Sequence, residues 1–257
     1  MFEPKAGTSQ IDYQLCRYGK STLLFRGPRQ RTDLPYVAYL GGTETYGKNV
    51  AKPFPELVGA ELGIPAINLG CVGGGITLFA NEPELLRLCA RSKATVIQVP
   101  PALSVSNRFF SVKHRQNANV AAIDPVLEVL YKGVDLNGTT KVHDLLQLLS
   151  ATSPDRFSLV KEELGEVWQT RMRALIQQIG GAVILLWFGP TAPEDSENFS
   201  LANPHPMFVN REMLESLRSD VSAIVEISTY GDDISQDAHE EATFTLSPTL
   251  ERILAQT

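Results

Sequence analysis

The sequence predicts an α/β protein with a parallel central sheet and helices on both of its faces. Two observations lead there. Five short apolar runs, Tyr36–Leu40, Ala66–Leu69, Thr95–Val99, Ala182–Phe188 and Ala223–Ile227, lack a polar/apolar alternation. Strands buried on both faces of a parallel sheet read this way. Segments of helical periodicity separate the runs, and strand–helix–strand alternation is the mark of right-handed βαβ units.

The helical segments follow in order. Phe54–Leu62 lies in the first gap and Pro83–Ala90 in the second. The third gap is long and carries Lys141–Leu149 and Pro154–Ile179. Ser153 is placed to cap the latter, Pro154 suits its first turn, and Asp155 favours its positive end. Its apolar stripe, from Phe157 through Trp168 to Ile179, is expected to be core. Val209–Leu217 precedes the fifth strand. Ala238–Ala255 follows it, with a disturbance expected at Pro248.

Two stretches fall outside this alternation. Residues 100–140 form an insertion after the third strand, and such segments are usually functional loops or disordered. Residues 189–206, rich in Pro, Asn and acid, are a candidate lid. No linker divides the chain, so residues 1–257 are expected to form a single domain.

Composition narrows the function classes. The 257 residues are 43% hydrophobic and carry a formal charge of −6. A nucleic-acid partner needs a basic face and is not expected. No apolar run approaches the length of a membrane span. The first residues, Met1 to Gly7, lack the basic and apolar parts of a signal peptide. Cys16, Cys71 and Cys89 show neither metal nor redox spacing. A cytoplasmic protein is expected, with its oligomeric state left open.

Chemistry is expected at the carboxyl ends of the strands, where open α/β sheets place ligands. The first strand runs into Gly41-Gly42-Thr43-Glu44-Thr45, which offers hydroxyls, a carboxylate and backbone N–H groups. The second runs into Gly70-Cys-Val-Gly-Gly-Gly75, where glycines permit close approach to a ligand. That turn matches neither a dinucleotide fingerprint nor a phosphate-binding loop. Beyond the third strand stand Asn107 and Arg108, with Lys113, His114 and Arg115 as a local basic patch. Between the last strand and helix lies His239, with Asp232, Asp233 and Asp237 close in sequence. A histidine held by a carboxylate beside a hydroxyl activates alcohol nucleophiles. Each of these residues has a plain alternative as a turn, loop or surface residue. The histidines show no metal-ligand spacing.

Taken in order, these blocks resemble the SGNH/GDSL hydrolase superfamily. The matching positions are Gly41-Gly42-Thr43, Gly73, Asn107 and His239. The runs Gly-Gly-Thr-Glu-Thr-Tyr-Gly, Pro-Phe-Pro, Asn-Leu-Gly and Ser-Asn-Arg-Phe also resemble an uncharacterised bacterial domain family near it. The resemblance implies a flavodoxin-like three-layer α/β/α sandwich with strand order 2-1-3-4-5. It implies an esterase or acyl-transfer enzyme acting on a small O-acylated substrate, carbohydrate-like ones included. Thr43 would be the nucleophile, His239 the base, and Asp237 or Asp233 its orienting acid. The Thr43 and Gly73 N–H groups and the Asn107 amide would form the oxyanion site, with Gly42, Glu44 and Arg108 beside the substrate. No cofactor or metal is implied. The sequence departs from the family where Thr43 replaces serine, Gly42 replaces an acid, and Gln236 stands where an aspartate precedes the histidine. These departures support an alternative, a catalytically degenerate fold that binds a small anionic or sugar ligand.

Overall fold

A computed structural model describes residues 11–113, 116–136, 138–194, 201, 207–229 and 234–256. His114, Arg115, His205, Asp232, Asp233 and most of the expected lid lie outside the described residues.

The central sheet holds five parallel strands: β1 (Val37–Gly41), β2 (Ala66–Gly70), β3 (Ala94–Gln98), β6 (Val183–Gly189) and β7 (Ala223–Ser228). Their spatial order is β2-β1-β3-β6-β7, every neighbour pairing parallel. This is the expected α/β architecture and the expected strand order. β1 and β3 are neighbours on either side of the point where the order reverses.

The absence of alternation in the sequence now has its cause. Successive residues of a strand point to opposite faces, and here both faces are buried. Val37 and Tyr39 of β1 enter one core, while Ala38 and Leu40 enter the other. β6 does the same, with Ile184, Leu186 and Phe188 on one side and Val183, Leu185 and Trp187 on the other. The first core is covered by α2 (Phe54–Leu62) and α9 (Gln236–Leu254), which pack together. The second is covered by α3 (Ile76–Ala80), α4 (Pro83–Arg91) and α7 (Pro154–Ile179).

Helix α7 begins as its sequence requires, with the Ser153 hydroxyl accepting the Arg156 N–H at 3.4 Å. Its Trp168 is fully buried and donates from Nε1 to the Pro100 carbonyl at 2.8 Å, which fixes the chain just beyond β3. Helix α9 runs through Pro248 without interruption.

The segment 100–140 is more regular than the sequence suggested. It contains an antiparallel hairpin, β4 (Phe110–Lys113) with β5 (Gln116–Ile123), and then α5 (Pro125–Leu130). Phe110, Val112 and Leu127 belong to the second core. Polar residues between them hide that pattern from a search for apolar runs. Helix α6 (Val142–Thr152) follows and packs on α7.

Candidate functional site

The turn after β1 forms the short helix α1 (Thr43–Tyr46). Its anchor is Gln98, the last residue of β3. Gln98 Oε1 accepts the Gly42 N–H at 3.1 Å, the Thr45 N–H at 3.1 Å and the Thr45 hydroxyl at 2.7 Å. Its Nε2 donates to Glu44 Oε2 at 2.6 Å. One buried amide therefore fixes the whole turn across the β1–β3 boundary.

Asn68 of β2 completes the frame. Its Nδ2 donates to the Thr45 carbonyl at 2.7 Å and its Oδ1 accepts the Gly70 N–H at 2.9 Å. Gly70 is needed here, because a Cβ at that position would lie 2.2 Å from the Tyr46 nitrogen. Gln98 escaped the sequence reading, and Asn68 entered it only as part of the Asn-Leu-Gly run, because both sit inside the apolar runs. A polar side chain at the carboxyl end of an otherwise apolar strand was the available signal.

Thr43 and Gly73 come together as expected. The Gly73 N–H donates to Thr43 Oγ1 at 3.3 Å, across 30 residues of sequence. Gly73 has φ +68, and a Cβ there would meet nothing within 4 Å. Its requirement for glycine is thus a left-handed backbone rather than close approach. Thr43 and Glu44 are partly exposed, whereas Thr45 is buried. Among the described residues, the Thr43 hydroxyl donates to no partner and Glu44 Oε1 accepts from none.

His239 lies elsewhere in chemical terms. It is 1% exposed, in the first turns of α9. Its Nδ1 accepts the Phe54 N–H at 3.0 Å, at the start of α2. Its ring stacks on Phe54 with centroids 5.8 Å apart and meets Phe188 edge-on at 5.3 Å. Burial, with the Arg26 charge adding to it, lowers its pKa from 6.5 to about 4. The neutral ring with Nδ1 accepting carries its proton on Nε2. Among the described residues it makes no hydrogen bond to Thr43.

Nor, among the described residues, does any other expected partner make a hydrogen bond to Thr43. Asp237 is exposed while His239 is buried. Residues two apart on a helix point to different sides, so this carboxylate does not orient the ring. Asn107 is engaged within its own loop. Its Oδ1 accepts from the Phe109 and Phe110 N–H groups at 2.8 and 3.2 Å, and its Nδ2 donates to the Val105 carbonyl at 3.0 Å. Arg108 pairs with Glu163 of α7, Nε to Oε2 at 2.8 Å. Both are turn and docking residues in this arrangement.

Among the described residues there is no cluster of three or more His, Cys, Asp or Glu suited to a metal ion. The three cysteines are free thiols. No described helix is long and apolar enough to cross a membrane.

Fold and site together define an open α/β protein with a polar, hydrogen-bonded turn at its topological switch point. The chain belongs to the family described as Domain of unknown function (DUF6473), which it matches over residues 1–254. No curated protein matches it. Among solved structures it is similar to a carbohydrate acetylesterase family member from Sinorhizobium meliloti. That likeness has 10% identity and a TM-score of 0.47, and covers 86% of this chain and all of the other. It is also similar to the lipase Lip_vut3 from a goat rumen metagenome, at 12% identity and a TM-score of 0.37, covering 86% of this chain and 97% of that one. Both likenesses are too distant to bear on this chain's chemistry.

Proposed function

We propose that the turns at Thr43 and Gly73 bind a small, hydroxyl-rich, sugar-like ligand without turning it over. One observation carries this reading. The Thr43 hydroxyl has a proton to donate and Glu44 Oε1, on the next residue of the same partly exposed turn, has no described donor. A donor and an acceptor on successive residues of one turn suit the hydroxyls of a neutral polyol. The Glu44 charge disfavours an anion at the same place. Gln98 holds the pair in position before the ligand arrives, which lowers the ordering cost of binding.

A second reading is ester hydrolysis of the SGNH/GDSL kind, on an O-acylated small molecule. The approach of the Gly73 N–H to the Thr43 hydroxyl favours it, since an acyl carbonyl needs both a nucleophile and an N–H donor. In that reaction Thr43 Oγ1 bonds to the acyl carbon, a base carries its proton to the departing alcohol, and water then cleaves the acyl-threonine to the acid and restores the hydroxyl. His239 would serve as that base only after releasing the Phe54 N–H, and that need weighs against this reading.

Titration calorimetry with a panel of neutral monosaccharides and their O-acetyl esters separates the two, with acetate release followed in parallel. The expected result is saturable binding of a neutral sugar, weakened about tenfold by Thr43→Ala, and no acetate release. Acetate release that disappears in both Thr43→Ala and His239→Ala would install the hydrolytic reading instead. Failure of every panel member to bind or react would sink both.

A further inference from the structure

A crevice lies on the outer side of β2, against α2 and residues 26–30. It encloses about 380 Å³ and is lined by Arg26, Gln30, Glu56, Ala60, Ile64 and Pro65 among others. This volume falls in the range of small-molecule sites.

Arg26 is the unusual residue there. It is only 6% exposed. Its Nη1 donates to the Gly47 and Val50 carbonyls at 2.6 and 2.9 Å, and its Nη2 to the Ala51 carbonyl at 2.6 Å. The Tyr13 ring lies across the guanidinium, 5.1 Å from its centroid. An arginine has five N–H donors. Nε–H and the second Nη2–H have no acceptor among the described residues. Nor does this buried cation pair with a described carboxylate. Glu56 is near enough to attract it electrostatically and lines the same crevice, yet the two form no ion pair. A buried charge without a counter-charge is costly, and a ligand that supplies one is stabilised accordingly.

We propose that this crevice binds a free α-amino acid with an apolar side chain. Its carboxylate meets the unused N–H groups of Arg26, and its ammonium meets the Glu56 carboxylate. The side chain lies along Ala60, Ile64 and Pro65. A zwitterion answers both charges at once. A dianion such as phosphate would bring an extra negative charge toward Glu56. The crevice lining contains neither Thr43 nor Gly73, and the proposal does not depend on the sugar-binding reading.

The test uses the full chain and three probes in calorimetric titration: L-leucine, 4-methylpentanoate, which lacks the ammonium, and isoamylamine, which lacks the carboxylate. L-leucine should bind saturably, and each truncated probe should bind at least about tenfold more weakly. Arg26 also clips the loop after α1, so its replacement risks unfolding. Glu56 is exposed, and Glu56→Gln tests the ammonium contact without that risk. In Glu56→Gln, L-leucine and 4-methylpentanoate should bind about equally. Ala60→Trp should fill the crevice and abolish L-leucine binding, with the melting temperature checked in parallel. The proposal is overturned if L-leucine does not bind at millimolar concentration. It is equally overturned if 4-methylpentanoate binds the unaltered protein as tightly as L-leucine, or if Glu56→Gln leaves their ratio unchanged.

Discussion

The turn after β1 and the first turns of α9 stand at the same carboxyl edge of the sheet, but their polar groups live in different surroundings. At the β1 turn, Thr43 and Glu44 keep solvent contact over a frame of buried amides. At α9, Phe54 and Phe188 close over His239, and a backbone N–H occupies its Nδ1. Position along a sheet edge therefore brings residues to a common rim. Burial and hydrogen bonding then decide which of them retain reactive lone pairs or protons. Here the hydroxyl keeps its freedom and the imidazole does not.

The comparison is broken most severely by removing the frame. Gln98→Leu leaves the Gly42 and Thr45 N–H groups and the Thr45 hydroxyl without their acceptor in a buried place. We expect a loss of about 4 kcal/mol, since each unsatisfied buried donor costs about 1–3 kcal/mol. Urea unfolding measures it. A loss below about 1 kcal/mol would mean that water replaces the amide and that the turn is not fixed by Gln98.

His239 supplies the next effect, and it depends on pH. Its folded-state pKa, about 4, lies below the ordinary 6.5, so the unfolded chain takes up the proton first as pH falls. The histidine's contribution is whole above pH 6.5 and is lost progressively toward pH 4. The protein should lose up to about 3 kcal/mol across that window from this group. His239→Leu should cost about 2 kcal/mol at pH 7 by orphaning the Phe54 N–H. It should also flatten the acid dependence, so that the curves of the variant and the parent cross near about pH 5. Parallel pH–stability curves for the two proteins would contradict this account of the buried ring.

The contrast also shows what the sequence could disclose. Strand and helix positions were legible because periodicity reports burial directly. Phe54–Leu62 and Pro154–Ile179 match their elements end to end, and the sheet strands differ by about a residue at their ends. The hairpin of β4 and β5 was not legible, since its few core residues are spaced among polar ones. At the site, Thr43 and Gly73 could be paired from block order alone, because adjacent parallel strands bring their following turns together. The setting of His239 could not be foreseen. Its partner, the Phe54 N–H, is a backbone group 185 residues away, and no side-chain motif encodes it. Asn107 was misleading for a related reason: asparagine both donates to ligands and closes its own turns, and the sequence looks the same in either case.

The smallest expected effect falls on Thr43. Its hydroxyl accepts one long hydrogen bond, from a Gly73 N–H at 3.3 Å in a partly exposed place. Water can take over that donor in Thr43→Ala, so no buried group is orphaned. The change in stability should stay within about 0.5 kcal/mol, the range of ordinary surface substitutions. A loss as large as that of His239→Leu would make Thr43 a structural residue, and the proposed ligand site would lose its leading donor. A neutral stability combined with weakened ligand binding is the outcome a functional hydroxyl requires. The Thr43 side chain would then contribute to the ligand alone, while Gln98 and Asn68 hold the turn that presents it.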